Sequence, residues 1–469
     1  MRSVRDKRIS NKHNCQQAAS ALAAVAALVL CCCCVPNRSF RAQQSVYQYH
    51  FPDDHRFFRN GCAGLAFIEF DDEGSLFHPE QVDHALDLVH QLQDLDREFN
   101  GKEAQGVAVF VFIHGWKNNA SEASGNVWGF RKALDELAVS SDGRPIVGIY
   151  IGWPGIGWPG FDAGLLEDFS FGDRENVAGV VGGAGALTNV LEKILRGTKG
   201  PDYQGKSSCV LIGHSFGGLV METAVTPLLR DQLAKLEAGG QTKPLADLIV
   251  LINEAAPALL ARPLLYYLTD NHIEYSDPSG KTPFPLLLSM TSQGDVDTKF
   301  AFPGGQFLDH NKPTFPKDQP PDRFGITDKT YFYLTTANTI ALQNHQFVSR
   351  PVSAEKPADG AFVSPRVGHT AYDLVPKPGN NRTPYWVTQL PQVFVPDHGT
   401  VFGVEFMRLL VELLDAPKIV TKQPSPARGG DYFCPAVAAG EPRAARAHAL
   451  ASSTTPRAPV TELKLKKKQ

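Results

Sequence analysis

Short, almost wholly apolar runs alternate with longer amphipathic stretches through the middle of the chain. In the stretch 79–99 the apolar residues recur at the spacing of one helix face; they are Val82, Leu86, Val89, Leu92, Leu95 and Phe99. Further helices are predicted over residues 126–138, 176–195 and 401–414. The apolar runs predict strands over residues 64–70, 107–113, 146–153, 208–212, 247–253 and 286–291, and an extended stretch follows at 384–390. The pattern therefore predicts strands and helices in regular alternation.

The predicted strands are apolar on both faces, which indicates a sheet that helices cover on each side. Helical connections between the strands imply right-handed crossovers and parallel pairing. We therefore predict an α/β fold with a doubly wound, mostly parallel sheet. Reactive groups collect at the carboxyl ends of such strands. Three predicted strand ends carry unusual residues, namely "HGW" after Ile113, "GHSFGG" after Ile212 and "SQGDVD" after Thr291.

The amino-terminal segment differs from this body. A cluster of basic residues between Arg2 and Lys12 precedes the apolar run 18–35. That layout is typical of a secretory signal or a membrane anchor, so we assign residues 1–45 to such a segment and its linker. The run of about eighteen residues is close to the length that spans a bilayer, so its length does not separate the two. Four cysteines, Cys31 to Cys34, end the run, and either a lipid-modified thiol or a plain anchor fits them.

The remaining boundaries follow from changes in composition. Residues 46–417 are predicted to form one α/β domain, with a proline-rich and polar stretch at about 299–383. That stretch fits a cap-like insertion or long loop over the site, and a disordered insertion is the alternative. Residues 418–469 lose apolar periodicity and end in lysines, which predicts a disordered basic tail. The chain is expected to be exported (periplasmic, cell-surface or secreted) or held at a membrane by its first segment.

Charge and cysteine content narrow the function classes. The chain of 469 residues has a formal charge of -3 and 20% charged residues. Because nucleic-acid binding requires a basic surface, this balance argues against a nucleic-acid partner. No CxxC motif or Cys/His cluster outside the leader has the spacing of structural zinc, so no metal is expected. After export, Cys62 and Cys434 could pair, although their spacing does not require it.

The motif around Ser215 is the strongest chemical signal. Gly213 and Gly217 lie two positions on either side of the serine, after a predicted buried strand and before a predicted helix. At so tight a turn a side chain at either glycine would collide with neighbouring backbone, so the turn presents the serine hydroxyl away from the sheet. The helix that begins at Phe216 directs free N–H groups and its dipole toward the same space.

With the "HGW" turn and the "GHSFGG" elbow, the chain resembles serine hydrolases of the α/β-hydrolase superfamily, particularly bacterial lipase-like and esterase-like members. The resemblance covers residues 64–414. It implies an oxyanion hole formed by the backbone N–H groups of Phe216 and Trp116, with Gly115 allowing close approach. It also implies the chain order serine, acid, histidine. We interpret His114 as a residue that shapes the loop rather than a catalytic one.

By this order the base follows Ser215, and His398 is preferred because it lies between the last predicted strand and the last predicted helix. His369 is the second choice; the other histidines after the serine are His272, His310, His345 and His448. Asp295, directly after Gly294 at a strand end, is the preferred acid. Asp297 is the alternative acid, and Glu254 is the third option.

Together these features predict a serine hydrolase that cleaves carboxylic esters, lipid esters among them, through an acyl-enzyme on Ser215. Neither a metal nor an organic cofactor is required for this chemistry. The expected partner is a small-molecule or lipid ester, with membrane contact through the first segment. Two alternatives stay open: an acyltransferase with the same triad, and a catalytically inactive, membrane-tethered binding protein.

Overall fold

The computed structural model describes residues 37–43, 45–48, 63–141, 144–156, 170–199, 207–237, 246–276, 283–308, 313–353, 356–379 and 383–415. The predicted signal or anchor run, Cys62, Cys434 and the predicted basic tail all lie outside these residues. Within the described ranges, no helix combines the length and the apolar character needed to cross a bilayer.

An eight-stranded sheet forms the centre of the described fold, in the order β1-β2-β4-β3-β5-β6-β7-β11. Its strands are β1 (Val46–Gln48), β2 (Ala63–Glu69), β3 (Ala108–Ile113), β4 (Ile146–Gly152), β5 (Ser208–His214), β6 (Leu248–Ile252), β7 (Leu287–Ser292) and β11 (Tyr385–Leu390). The edge strand β1 runs antiparallel to β2, and every other neighbouring pair is parallel. The predicted α/β fold with a mostly parallel sheet is therefore confirmed.

Helices cover both faces of this sheet. On one face, α2 (Gly125–Val139) and α9 (Val404–Asp415) enclose a core with alternate strand residues such as Phe110 and Val210. On the other face lie α1 (Glu80–Asn100), α4 (Ala186–Thr198) and α5 (Phe216–Glu237). Burial of the strands on both sides explains why they read as continuous apolar runs.

The neighbouring strands β3 and β5 form a switch point in the sheet. After β3 the chain turns to α2 on one face, whereas after β5 it turns to α5 on the other. The two turns therefore separate and leave a crevice at the carboxyl ends of the strands, where α/β proteins bind ligands. The "HGW" and "GHSFGG" motifs lie at this crevice.

The helix predicted over 176–195 is divided into α3 (Phe171–Gly183) and α4. Gly185 separates them with a φ of 80°, a left-handed conformation that glycine adopts without strain. Glycine is needed inside α3 as well, because a Cβ at Gly182 would lie 2.8 Å from the carbonyl oxygen of Val220 in α5. This stretch therefore consists of two helices, with α3 packed closely on α5.

Between β7 and β11 the chain forms several small elements. A π-helical turn (Asp297–Ala301) leads into α7 (Phe302–Leu308), and α8 (Asp328–Tyr333) follows. A three-stranded antiparallel sheet comes next, in the order β8-β10-β9, with β8 (His345–Pro351), β9 (Arg366–Val367) and β10 (Thr370–Pro376). This small sheet packs beside β11 and the core under α9.

Candidate active site

Ser215 lies in the tight turn between β5 and α5. Its backbone has a φ of 58°, which is unusual for a residue with a side chain. A Cβ at Gly217 would lie 2.2 Å from the carbonyl oxygen of Ile113, and one at Gly213 would lie 2.7 Å from that of Gly217. The carbonyl oxygen of Ser215 accepts hydrogen bonds from the amides of Gly218 (2.8 Å) and Ala255 (3.1 Å). Both glycines of the motif are therefore required by close backbone packing, as predicted.

The structure brings together the three side chains that the sequence nominated. The Nε2 atom of His398 lies 2.7 Å from the hydroxyl oxygen of Ser215. The other ring nitrogen, Nδ1, lies 3.0 Å from each carboxylate oxygen of Asp295. The three residues come from the turns after β5, β7 and β11, so the same edge of the sheet supplies all of them.

Asp295 is fully buried and is surrounded by hydrogen-bond donors. Besides the His398 ring, its oxygens accept from the hydroxyl of Thr298 (2.7 Å) and from the amides of Thr298 (3.1 Å) and Asp297 (3.0 Å). Burial alone would raise the pKa of Asp295, but the hydrogen bonds and charge of His398 and the bonds from Thr298 outweigh it and lower the pKa below 3.8. The carboxyl group is therefore ionised at neutral pH and can orient an imidazole.

The alternative acids are placed differently. Asp297 is exposed and gives only its backbone amide to the Asp295 carboxylate. Glu254 is buried beside Glu222 of α5, and each carboxyl group shifts the pKa of the other. Neither Asp297 nor Glu254 has a hydrogen bond to the His398 ring among the described contacts.

The Glu222–Glu254 pair is a second buried carboxyl site. Glu222 also accepts a hydrogen bond from the Tyr385 hydroxyl (2.7 Å), and Glu254 accepts one from Ser289 (3.4 Å). Burial raises the pKa of Glu222 to about 7, although the hydrogen bond from Tyr385 and the neighbouring Glu254 oppose the rise. Burial and the charge of Glu222 raise the pKa of Glu254 well above its usual value. Because burial disfavours the charged form of both groups, the pair binds protons more tightly than exposed carboxyl groups do.

The alternative bases do not reach the serine. His369 is exposed in the turn between β9 and β10, and His272 is exposed after α6 (Arg262–Asp270). His345 is buried and stacks on Trp386, with ring centroids 3.9 Å apart. His310 and His448 lie outside the described residues.

The backbone amides of Trp116 and Phe216, which the resemblance assigns to an oxyanion hole, belong to the two turns that meet at Ser215. Trp116 follows Gly115, where a Cβ would lie only 2.6 Å from the Cβ of Ser215, so the two turns are in direct contact. Phe216 is the first residue of α5. Among the described residues neither amide has a hydrogen-bond acceptor. Both are available to a ligand oxygen at the amino-terminal end of a helix dipole.

His114 stabilises the "HGW" turn and lies away from the serine chemistry. It is fully buried, its Nδ1 donates to the carbonyl oxygen of Gly115 (2.9 Å), and its Nε2 accepts from the amide of Trp153 (3.1 Å). The indole N–H of Trp153 returns a hydrogen bond to the carbonyl oxygen of His114 (2.8 Å). Burial lowers the pKa of His114 to about 4, so the ring is neutral and holds the loop.

Aromatic side chains pack around the two turns that meet at Ser215. Phe171 packs against Phe216 and Trp116, with centroid distances of 5.2 Å and 5.7 Å. Phe302 of α7 packs on Phe171 from the other side (6.1 Å). Close to Asp295 in the chain, Val296 and Phe300 expose 60% and 67% of their surface. The surroundings of the site are therefore apolar.

Sequence reasoning missed two residues that contact His398 through its backbone. His214 and Asn253 both donate hydrogen bonds to the His398 carbonyl oxygen, at 2.9 Å and 3.1 Å. Each stands at the carboxyl end of a buried strand, β5 for His214 and β6 for Asn253. Their position in the sequence could have identified them, because polar residues at the carboxyl ends of buried strands lie at the same edge of the sheet as Ser215.

One group of side chains has donor atoms close enough for a metal ion. Potential ligand atoms of Asp295, Asp297 and His398 lie within 4.8 Å of one another. Asp295 and His398 are already bonded to each other, however, and both Asp295 oxygens also accept from Thr298 or Asp297. An ion at this point would compete with those hydrogen bonds.

No protein-family model matches the chain, and no curated protein matches its sequence. Solved structures that resemble it include phospholipase PlaB from Legionella pneumophila, at 14% identity over 67% of this chain and 58% of that one (TM-score 0.26). PlaB in complex with thio-NAD gives 13% identity over 58% and 50% (TM-score 0.24). Trichoderma reesei cutinase with a phosphonate inhibitor gives 18% identity over 38% and 67% (TM-score 0.17). The chain thus spans little more than half of PlaB, and likenesses of this size support no argument about function.

Proposed function

We propose that the protein is a serine hydrolase that cleaves carboxylic esters through an acyl-enzyme on Ser215. One observation carries the proposal: the Ser215 hydroxyl lies 2.7 Å from His398 Nε2, and His398 Nδ1 lies 3.0 Å from both oxygens of a buried Asp295. A nucleophile, a base and a group that orients the base form one line, which is the arrangement that activates a serine.

In the proposed mechanism, Ser215 attacks the ester carbonyl while His398 takes the hydroxyl proton. Asp295 holds the Nδ1–H of the ring and stabilises the imidazolium, and it stays ionised throughout. The amides of Trp116 and Phe216 stabilise the negative charge on the carbonyl oxygen. His398 then gives its proton to the leaving alcohol, which leaves an acyl group on Ser215. Water, deprotonated by the same ring, attacks this ester and releases the acid.

Carboxylic esters with apolar acyl groups fit the surroundings of the serine. The aromatic rings of Phe171, Phe216 and Trp116 lie beside the proposed oxyanion amides, and the exposed Val296 and Phe300 follow Asp295. Apolar surface favours the binding of hydrocarbon chains over charged groups. We therefore expect activity on p-nitrophenyl esters to increase from acetate to medium-length acyl chains.

Labelling with a fluorophosphonate probe tests the proposal, because the probe reacts with activated serines. Wild type is expected to be labelled and to hydrolyse p-nitrophenyl butyrate. Ser215→Ala is expected to abolish labelling and to lower turnover on the order of 10⁴-fold or more. Ser349→Ala, at an exposed position of β8, serves as the control and should behave as wild type. Unlabelled wild type, or full turnover by folded Ser215→Ala, would overturn the proposal.

A further inference from the structure

The backbone of His398, as well as its ring, is held by polar side chains. Its carbonyl oxygen accepts one hydrogen bond from Asn253 and another from His214. We propose that Asn253 and His214 are positioning residues that fix the base against the nucleophile. This inference rests on the proposed function, since it concerns how His398 is held for proton transfer.

Asn253 connects three strand ends. Its Nδ2 donates to the carbonyl oxygens of His398 (3.1 Å) and Asp397 (3.3 Å), and its Oδ1 accepts from the amide of Ser292 (2.8 Å). The residue is fully buried, and its backbone has a φ of 47°. Asparagine tolerates this left-handed conformation better than most residues with a side chain. The Asn253 side-chain amide therefore hydrogen-bonds both to the end of β7 and to the loop after β11.

His214 acts from the neighbouring strand. Its Nε2–H donates to the His398 carbonyl (2.9 Å), and the centroids of the two rings are 5.1 Å apart. Because that nitrogen carries the proton, Nδ1 is unprotonated, and it has no partner among the described residues. Burial and the nearby His398 ring lower the pKa of His214 to about 3. A neutral donor thus holds the loop without placing a second positive charge beside the imidazolium.

The position of this carbonyl controls two contacts of the His398 ring. The ring reaches Ser215 on one side and Asp295 on the other, so a shift of the backbone lengthens at least one of these hydrogen bonds. A misplacement of about 1 Å can lower a rate about 100-fold. Since neither Asn253 nor His214 contacts the Ser215 hydroxyl, we expect their loss to lower kcat and to leave KM unchanged.

Replacement of Asn253 separates its amide from its backbone conformation. Asn253→Gly keeps the left-handed φ and removes the donor, and kcat for p-nitrophenyl butyrate is expected to fall about 100-fold at constant KM. Asn253→Asp keeps the shape but faces the two carbonyl oxygens with an acceptor, so an equal or larger fall is expected.

His214 provides an independent pair of variants with its own control. His214→Leu fills the space without a donor and is expected to lower kcat about tenfold, because Asn253 still holds the carbonyl. His214→Gln restores an N–H of similar reach and is expected to stay within about threefold of wild type. If the Asn253 variants do not fold, this pair decides the proposal.

Measurements in the His398→Ala variant distinguish a positioning role from a general effect on stability. Residues that act through His398 cannot lower the rate further once the ring is gone, so Asn253→Gly should not change the residual rate of His398→Ala. Equal falls in both backgrounds, or wild-type kcat in Asn253→Gly and His214→Leu while wild type is labelled by fluorophosphonate, would overturn this inference alone. Unlabelled wild type would overturn the proposed function instead.

Discussion

Asp295 and the Glu222–Glu254 pair are buried carboxyl sites whose pKa values are shifted in opposite directions. Asp295 follows β7 and Glu254 follows β6, so the two acids stand at the ends of adjacent parallel strands. Asp295 is met by donors from Thr298, Asp297 and His398, whereas Glu254 is met by another carboxyl group. The donors around Asp295 outweigh the effect of its burial, whereas burial prevails at the glutamate pair.

The two sites respond to pH in opposite directions. The folded-state pKa of Asp295 lies below 3.8, so its stabilising contribution is present above that pH and is lost as pH falls. Both glutamates have raised pKa values, that of Glu222 to about 7 and that of Glu254 well above its usual 4.5, so the contribution of the pair is complete below pH 4.5 and is lost as pH rises through those raised values. The pair thus favours a mildly acidic environment.

Removal of the Asp295 charge is the largest expected perturbation. Asp295→Asn keeps the shape of the side chain, but its amide cannot stabilise the imidazolium and can favour the wrong ring tautomer. We expect kcat/KM for p-nitrophenyl butyrate to fall on the order of 10³-fold to 10⁴-fold. Steady-state kinetics at pH 8 provide the measurement, with circular dichroism to verify the fold.

Asp297→Asn is the matched control for that variant, because Asp297 is two residues away and exposed. Its amide hydrogen bond to Asp295 is made by the backbone and persists. We expect a change of no more than about threefold. Similar losses in Asp295→Asn and Asp297→Asn would refute the assignment of the acid.

The second perturbation removes one of the two titrating carboxyl groups of the glutamate pair. Glu254→Gln removes the carboxyl group whose pKa is raised well above its usual value, so the part of the pH dependence that belongs to Glu254 should disappear, whereas the burial of Glu222 keeps its own part. In wild type the free energy of unfolding should fall as pH rises above 4.5, and the fall should be smaller in Glu254→Gln. Urea denaturation at several pH values measures it.

Glu98→Gln, on the exposed side of α1, controls for the change in net charge. It should leave the pH dependence of wild type unchanged. An unaltered slope in Glu254→Gln would mean that the pKa of Glu254 is not raised in the folded protein.

Loss of the Tyr385 hydroxyl is the smallest perturbation. Tyr385→Phe removes the hydrogen bond to Glu222 and leaves a buried oxygen without that donor. We expect a loss of about 1–2 kcal/mol in the free energy of unfolding at neutral pH. Tyr333→Phe, at a half-buried tyrosine of α8, is the control and should cost less than about 0.5 kcal/mol. A loss for Tyr385→Phe no larger than that of the control would contradict the assigned hydrogen bond.

Local patterns predicted the parallel strands of the central sheet, although not the edge strand β1, and nominated the three residues of the site. The strands were readable because each is short, apolar and buried on both faces, and Ser215 was readable because its glycines are adjacent in the chain. His398 and Asp295 were nominated from their places after predicted strands, with the order supplied by the resemblance. Their contacts with the serine and with each other are features of the structure alone.

The features that sequence reasoning missed depend on contacts between distant parts of the chain. The hydrogen bond between Asn253 and His398 joins residues 145 positions apart in the sequence, and the one between Glu222 and Tyr385 joins residues 163 positions apart. Sequence periodicity does not indicate such contacts. In the sequence, a glutamate that is buried in an apolar helix looks like an isolated polar residue, and its partner cannot be identified. The division between α3 and α4 was missed because Gly185 looked like one of several helix glycines that close packing can explain.

The residues of the turn at Ser215 are all synthesised long before the proposed base, His398. His398 follows Ser215 by 183 positions, and its loop comes after β11, the outermost parallel strand of the sheet. A nascent or truncated chain that ends before β11 would carry the hydroxyl and both backbone donors without the base. Such a chain is expected to be inert toward esters, so hydrolysis would report that translation has reached the far edge of the sheet.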